Sequence, residues 1–326
     1  MITSLWLGVV LLCLITYVVL DGYDLGAGIA ALFERDAGHR RHLLESVAVG
    51  WDGNETWLIL LGVSVWAGFP LAFGTLLPQL YLPLVVVLFS LIVRGVAVEM
   101  ASQSPPAPGW TRAFGVASLT AALGQGFALG ELASRLPTHA DSAFGAFSWF
   151  AALCALTVAA AYTALGYAYA RQKSSGALRR AAGRRGATAT ALATLLAALT
   201  LVAAPLDLHS PGRSFAFAGL LIFAAAGVST ALVGFRRSVD DLPLAGLATA
   251  TLAGLLALVV ARYPLIAPPN LTLSAAVAPH TTMVFLLVGI GLNIPLVLAY
   301  NLFAHRAFTG KLQAPPVETP VPGASA

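Results

Sequence analysis

The sequence predicts an all-α polytopic membrane protein of about nine transmembrane helices, with its N-terminus outside and its C-terminus cytoplasmic. Three observations carry that reading. Hydrophobic residues make up 58% of the 326 and charged residues 10%, and the mean hydropathy of +0.84 is far above that of a soluble domain. Apolar stretches recur at lengths near the roughly 20 residues that one helical crossing needs. Basic residues alternate from one connection to the next, as the positive-inside rule requires. The net charge of +4 resides in those connections, so it leaves no nucleic-acid footprint, and the expected surroundings are the lipid bilayer.

Taken in order, the spans fall near residues 5–33, 43–69, 76–98, 113–132, 148–170, 188–204, 215–234, 242–260 and 283–303. The first resembles a signal peptide in length only. It lacks a basic leading region, and Asp21-Gly22-Tyr23-Asp24 stands where small cleavage-site residues belong, so it reads as a retained helix. The fourth, sixth and eighth spans are rich in Ala and Thr and carry few large side chains. Residues 1–306 read as one transmembrane domain, and 307–326, with Pro315, Pro316, Pro320 and Pro322, as a disordered cytoplasmic tail. The odd-numbered connections and the tail hold 14 Lys and Arg; the even-numbered ones hold only Arg135, Arg213 and Arg262, and Arg94 lies inside a span. An even number of helices would scramble this alternation. Cys13 and Cys154 both fall within spans, which suits packing better than a disulfide or a metal site.

The chemistry concentrates between residues 21 and 57. An Asp at the centre of a membrane helix costs roughly 2.5–3.5 kcal/mol on insertion scales, so it faces a partner or water. Here Asp21 and Asp24 sit in the first span, Asp52 and Glu55 in the second. Counting back from Phe33 at about 1.5 Å per residue puts Asp24 roughly 14 Å and Asp21 roughly 18 Å inside the cytoplasmic face. Counting from Leu43 along an unbroken helix puts Asp52 roughly 13 Å and Glu55 roughly 18 Å inside. Each pair is spaced i, i+3 and so shares one side of its helix. Facing each other, the four would form a two-tiered carboxyl ladder, with Arg94, Glu99 and Asn54 as supporting polar groups. Two readings stand at this point: a water-bridged proton relay, or a structural ion-pair network in which Arg94 neutralises Asp24 or Asp52.

Other features are less specific. Gly22, Gly26 and Gly28, like Gly124, Gly126 and Gly130, permit close helix approach. Trp66 suits an outer aromatic belt, whereas Trp51 and Trp57 lie deeper, where packing is the first reading and contact with a flat cofactor the second. Haem iron needs His, Met, Cys or Tyr projecting into a bundle. His39 and His42 fall in a cytoplasmic loop, His139, His209 and His280 on the outer side and His305 at the inner end of the last span; Met1, Met100 and Met283 form no internal pair. No metal ligand set, phosphate-cradling loop or catalytic constellation is expected in this chain. A stand-alone proton-coupled transporter could use the same carboxyls, although such folds commonly show paired repeats that this sequence does not display.

The motifs together are specific. Asp21-Gly22-Tyr23-Asp24-Leu25-Gly26-Ala27-Gly28, Arg40-Arg41, Trp51-Asp52-Gly53-Asn54-Glu55-Thr56-Trp57-Leu58, Arg94-Gly95 with Glu99, and a closing region of Tyr263-Pro264, Asn270-Leu271-Thr272 and Asn293-Ile294-Pro295 resemble subunit II of the cytochrome bd-type quinol oxidases. The resemblance spans the whole chain. It implies a complex of the bacterial inner membrane that oxidises quinol and reduces dioxygen to water, building a proton gradient without pumping. It implies two haems b and one haem d, held mainly by a larger subunit I of similar fold that also supplies the quinol-oxidation loop. Small single-span accessory subunits, and a structural quinone or lipid in this subunit, occur in some relatives. By the same resemblance Asp52 is the foremost proton-path residue, with Asp24 matching the second acid of the first-helix motif. This chain departs from the pattern in Tyr23, where Phe is commoner, in Leu273-Ser274, where relatives often carry Trp and an acid, and in its short outer loops.

Overall fold

The computed structural model describes residues 2–103, 108–134, 148–205, 210–237, 239–267 and 270–307. Over these the chain forms α1 (Ile2–Phe33), α2 (Ala37–Val47), α3 (Trp51–Gly68), α4 (Pro70–Gln79), α5 (Tyr81–Gln103), α6 (Pro108–Ala133), α7 (Trp149–Lys173), α8 (Gly176–Ala203), α9 (Pro211–Arg237) and α10 (Asp241–Arg262). A small antiparallel hairpin, β1 (Leu265–Ala267) and β2 (Leu271–Thr272), leads into α11 (Leu273–Ala276), α12 (His280–Leu286), a π turn (Leu287–Gly291) and α13 (Ile294–Ala307). Eight segments are long and apolar enough to cross a membrane, the last running from α12 into α13, and α3 with α4 passes the same test as a bent pair. The Ala- and Thr-rich fourth, sixth and eighth spans all find their helices. The tail read over 307–326 lies outside the described residues beyond Ala307, as do Arg135, His139 and His209.

The second span departs from expectation. What reads as one helix over 43–69 is two, because the chain turns at Ala48–Gly50 and a new helix begins at Trp51. Leu43, Leu44 and Val47 belong to α2, which buries them against the bundle. That helix starts at Asp36, whose side chain accepts from the His39 N–H at 2.8 Å; His39 and His42 therefore lie on a helix, not in a loop. At its other end α3 stops because Pro70 disfavours helical backbone at Phe69, and α4 leaves at 120°. The corner is buried: the Trp6 indole packs on Gly68 and donates to the Ser64 carbonyl at 3.0 Å, while the Ala278 N–H closes onto the Gly68 carbonyl. The third span consequently starts at Tyr81, and the sixth starts at Gly176, well ahead of residue 188.

The bundle is organised around the second half of α1, where every residue from Asp21 to Ala31 is buried. Glycine makes this possible. At the crossing of α1 and α7, a Cβ on Gly26 would strike the Tyr162 carbonyl and one on Gly166 would strike the Gly26 backbone. On the α6 side Gly28 lies against Ser118, and Gly115 against the Gly28 carbonyl. Gly126 and Gly130 give α6 the same closeness to Ala155 and Ala151 of α7, and Gly22 packs under the Tyr162 ring. Small residues replace the hydrophobic effect as the means of helix association in lipid, because they let backbones and polar side chains approach. Cys13 and Cys154 are free and buried, as packing residues should be.

Candidate functional site

Burial of α1 decides where its acids point. Asp21 and Asp24 are 0% and 1% exposed, so both face protein and neither faces lipid. Arg94 of α5, itself 0% exposed, reaches between α1 and α3. Its Nη1 donates to Asp21 Oδ1 at 2.5 Å and its Nη2 to Glu55 Oε2 at 2.8 Å, while the guanidinium carbon lies 5.9 Å from the Trp51 ring centroid. One helical turn along α1, Asp24 Oδ2 accepts from the Asn54 amide at 2.8 Å, and the same amide donates to the Tyr23 hydroxyl at 3.0 Å. The Tyr23 ring stacks on Tyr169 of α7 at 4.2 Å.

The hydrogen-bonding capacity of this cluster is not used up. Asp21 Oδ2, Asp24 Oδ1 and Arg94 Nε have no hydrogen-bond partner among the described residues. A buried carboxylate oxygen without a donor is costly, and such atoms in a polar, multi-residue site are where bridging water or an exchanging proton is accommodated. Glu55 is 24% exposed at its side chain, so the cluster has one edge open to its surroundings and one end sealed. A second polar group lies one turn before Asp21 on α1, on the side away from Asp24: Gln125 of α6 donates to Tyr17 Oη at 2.8 Å and accepts from Tyr162 Oη at 2.7 Å. Carboxylates, one guanidinium, amides and hydrogen-bonded phenols form a set that can hold bridging water and protons.

Each expected site residue now has a place. Asp21, Asp24, Glu55, Asn54 and Arg94 come together. Arg94 pairs with Asp21 and Glu55, not with Asp24 or Asp52, and Asn54 occupies the position opposite Asp24 that the ladder gave to Asp52. Asp52 is exposed in the first turn of α3, where a carboxylate is favoured by the free N–H groups of a helix start. The depths expected for Asp52 and Glu55 along an unbroken helix from Leu43 do not hold, because the helix is interrupted at residues 48–50. Glu99 is exposed near the end of α5 and makes no hydrogen bond or ion pair among the described residues. Trp57 is fully buried with Cys13, Tyr17 and Ile294, a packing role, and Trp51 covers Gly95 beside Arg94. Tyr17, Gln125 and Tyr162 went unnoticed in the sequence; the one signal was Gln125, an uncharged polar residue between two glycines of an apolar span.

The family described as cytochrome bd terminal oxidase subunit II matches residues 2–308. The chain belongs to that family. It is 24% identical to a probable cytochrome oxidase subunit 2 of Haemophilus influenzae over 95% of both chains. It is 37% identical to the cytochrome bd ubiquinol oxidase subunit 2 of Bacillus subtilis over 29% of each, and 30% identical to the cytochrome bd-I ubiquinol oxidase subunit 2 of Escherichia coli over 42% of this chain and 37% of that one. The structure of bd oxidase from Geobacillus thermodenitrificans contains a chain of the same fold, with a TM-score of 0.75 at 18% identity over 94% of this chain and 98% of that chain. As a bd-type subunit II, the chain is a multi-pass component of a haem-containing quinol oxidase of the respiratory chain and works with partner subunits. Membership in this family displaces the transporter reading.

Proposed function

We propose that this subunit supports a haem-bearing subunit I and gives it a proton route from the cytoplasm for the reduction of dioxygen to water. The observation that carries the proposal is a charge count: the cluster holds three carboxyls and one guanidinium, with Arg94 engaging Asp21 and Glu55 while Asp24 is held by the neutral Asn54 amide. Such a site is electroneutral only while it holds protons, and a site that holds protons can pass them on. Asp52 and Glu55 form its accessible entrance, Asp24 and Asp21 its buried end, and Tyr17, Gln125 and Tyr162 extend it along α1. The alternation of basic residues between connections supports an entrance on the cytoplasmic side, with the N-terminus outside and the C-terminus inside, in a bacterial inner membrane. The two haems b and the haem d are held by subunit I. Quinol is the substrate of the complex.

Asp24→Asn tests the route. The amide matches the carboxylate in size and can still accept from Asn54, but it exchanges no proton. Quinol oxidase turnover in the purified complex is expected to fall by an order of magnitude or more, against the roughly 10²–10⁴ that a positioned proton-transfer group contributes, while haem absorbance stays unchanged. Asp52→Asn is expected to lower turnover by a smaller factor. Full turnover in Asp24→Asn removes that residue from the path. Loss of haem absorbance assigns the cluster to structure, the reading that the double engagement of Arg94 favours.

A further inference from the structure

Two of the basic connections, those after the fifth and seventh spans, meet in a cavity that the proton route does not use. Its volume is about 330 Å³, and it is lined by Arg171 of α7, Arg179, Arg180 and Arg184 of α8, and Phe235 and Arg236 of α9. Two of the five arginines are tied down. Arg171 is buried, donates to the Phe235 carbonyl at 2.9 Å and to Asp240 at 3.4 Å, and lies over the Phe235 ring; Arg179 donates to the same Asp240 carboxylate at 2.8 Å. Gly183 leaves the space that the Arg171 guanidinium fills. Arg180, Arg184 and Arg236 are exposed and pair with no carboxylate among the described residues. Three unneutralised guanidiniums around a partly apolar hollow form a receptor for a phosphate oxyanion.

We infer that this cavity binds the phosphate of an anionic phospholipid. The source of the phosphate is indicated by what continues from the cavity. Arg184 heads an exposed stripe on one side of α8, through Thr188 to Leu192, Leu195 and Leu199, since residues three and four apart share a helix face. Arg236 stands in the same relation to Val233 and Ile222 of α9. A cationic head above two apolar tracks matches a headgroup above acyl chains, and basic pockets between helices at the membrane boundary are sites for acidic headgroups.

Native mass spectrometry of the purified, delipidated oxidase complex tests this, with phosphatidylglycerol, phosphatidylcholine and inorganic phosphate as probes. Phosphatidylglycerol is expected to bind in preference to phosphatidylcholine and to resist displacement by millimolar inorganic phosphate. Each arginine near the surface is worth about fivefold, so Arg180→Ala/Arg184→Ala/Arg236→Ala should weaken phosphatidylglycerol binding by about a hundredfold. Arg184→Ala alone, the milder variant, should weaken it about fivefold, and the triple Lys replacement should retain most of it. Unchanged haem absorbance certifies assembly of each variant. Equal binding of the two lipids, undiminished binding in both alanine variants, or displacement by inorganic phosphate overturns the inference. Bound lipid is read separately from turnover, so this inference and the proton route fail independently.

Discussion

Removing the positive charge at the centre of the site has a calculable cost. Arg94 is fully buried and engages Asp21 at 2.5 Å and Glu55 at 2.8 Å through separate nitrogens. Arg94→Met keeps much of the apolar stem that packs beside Trp51 but leaves two carboxylates without their cation. Breaking a buried pair from one side costs about 3–5 kcal/mol, chiefly through the uncompensated charge left behind. Most of that falls on Asp21, because Glu55 retains partial exposure. The same substitution made in an Asp21→Asn/Glu55→Gln background strands no carboxylate of the pair, and its cost should shrink to about 1 kcal/mol, since replacing all the charges together is often nearly neutral. The assay is thermal loss of subunit association in the purified complex, followed for the four combinations. An equal loss from Arg94→Met in both backgrounds would falsify the electrostatic account and leave packing as the contribution of Arg94.

Three further outcomes are expected. Gly26→Ala should destabilise the assembled complex by about 1–3 kcal/mol, because its methyl group would enter the Tyr162 carbonyl and force α1 from α7; an unchanged melting temperature would show that the crossing can relax. Gln125→Leu removes the shared partner of the Tyr17 and Tyr162 hydroxyls and should cost about 1–3 kcal/mol, measured by the same melting assay, whereas Gln125→Glu can still accept from Tyr162 and should cost less. Glu34, just past α1, is pushed up by burial, but hydrogen bonds from Arg185 and from the backbone N–H groups of Asp36 and Arg35 outweigh this and hold its carboxyl below the usual range. A carboxyl depressed in the folded state stabilises fully above its unfolded pKa of about 4.3 and loses that contribution as pH falls through the folded value. The stability difference between wild type and Glu34→Gln should therefore be constant above about pH 5 and fade with acidification; a difference that persists at the acid end would contradict it.

How much of this could be read from the chain depends on what each residue announces. Acids and an arginine inside apolar runs are conspicuous, so Asp21, Asp24, Glu55 and Arg94 stand out in the sequence itself, and small residues mark the helix crossings. The partner of each charge was not legible. Asn54 was one polar residue in a motif, and the proximity of Arg94 to Glu55 depends on how α5 packs against α3. Asp52 was misplaced because a run of apolar residues does not reveal an interruption: Val47, Ala48 and Val49 suit a helix as well as a turn. The bend before Pro70 had a signal in Gly68-Phe69-Pro70, hidden by the apolar length of its surroundings. Tyr17 and Tyr162 were silent for a different reason, since tyrosine in a membrane span serves belts, cores and hydrogen-bond chains alike, and only the position of Gln125 between them distinguishes these uses.

The π turn at Leu287–Gly291 acts on the rest of its helix like a gear offset by one tooth. A π turn holds an extra residue per winding, so everything that follows is rotated by about 100° relative to an uninterrupted α-helix. Asn301 lies in that later portion, and its side-chain oxygen comes close to Gly53 at the start of α3. Deleting one residue from Leu287–Gly291 would straighten the winding and swing Asn301 to another quarter of the circumference. The angular setting of the last crossing against the mouth of the acidic cluster thus depends on local winding some ten residues away as well as on the packing of Ile294, Val297 and Leu298 beside Trp57.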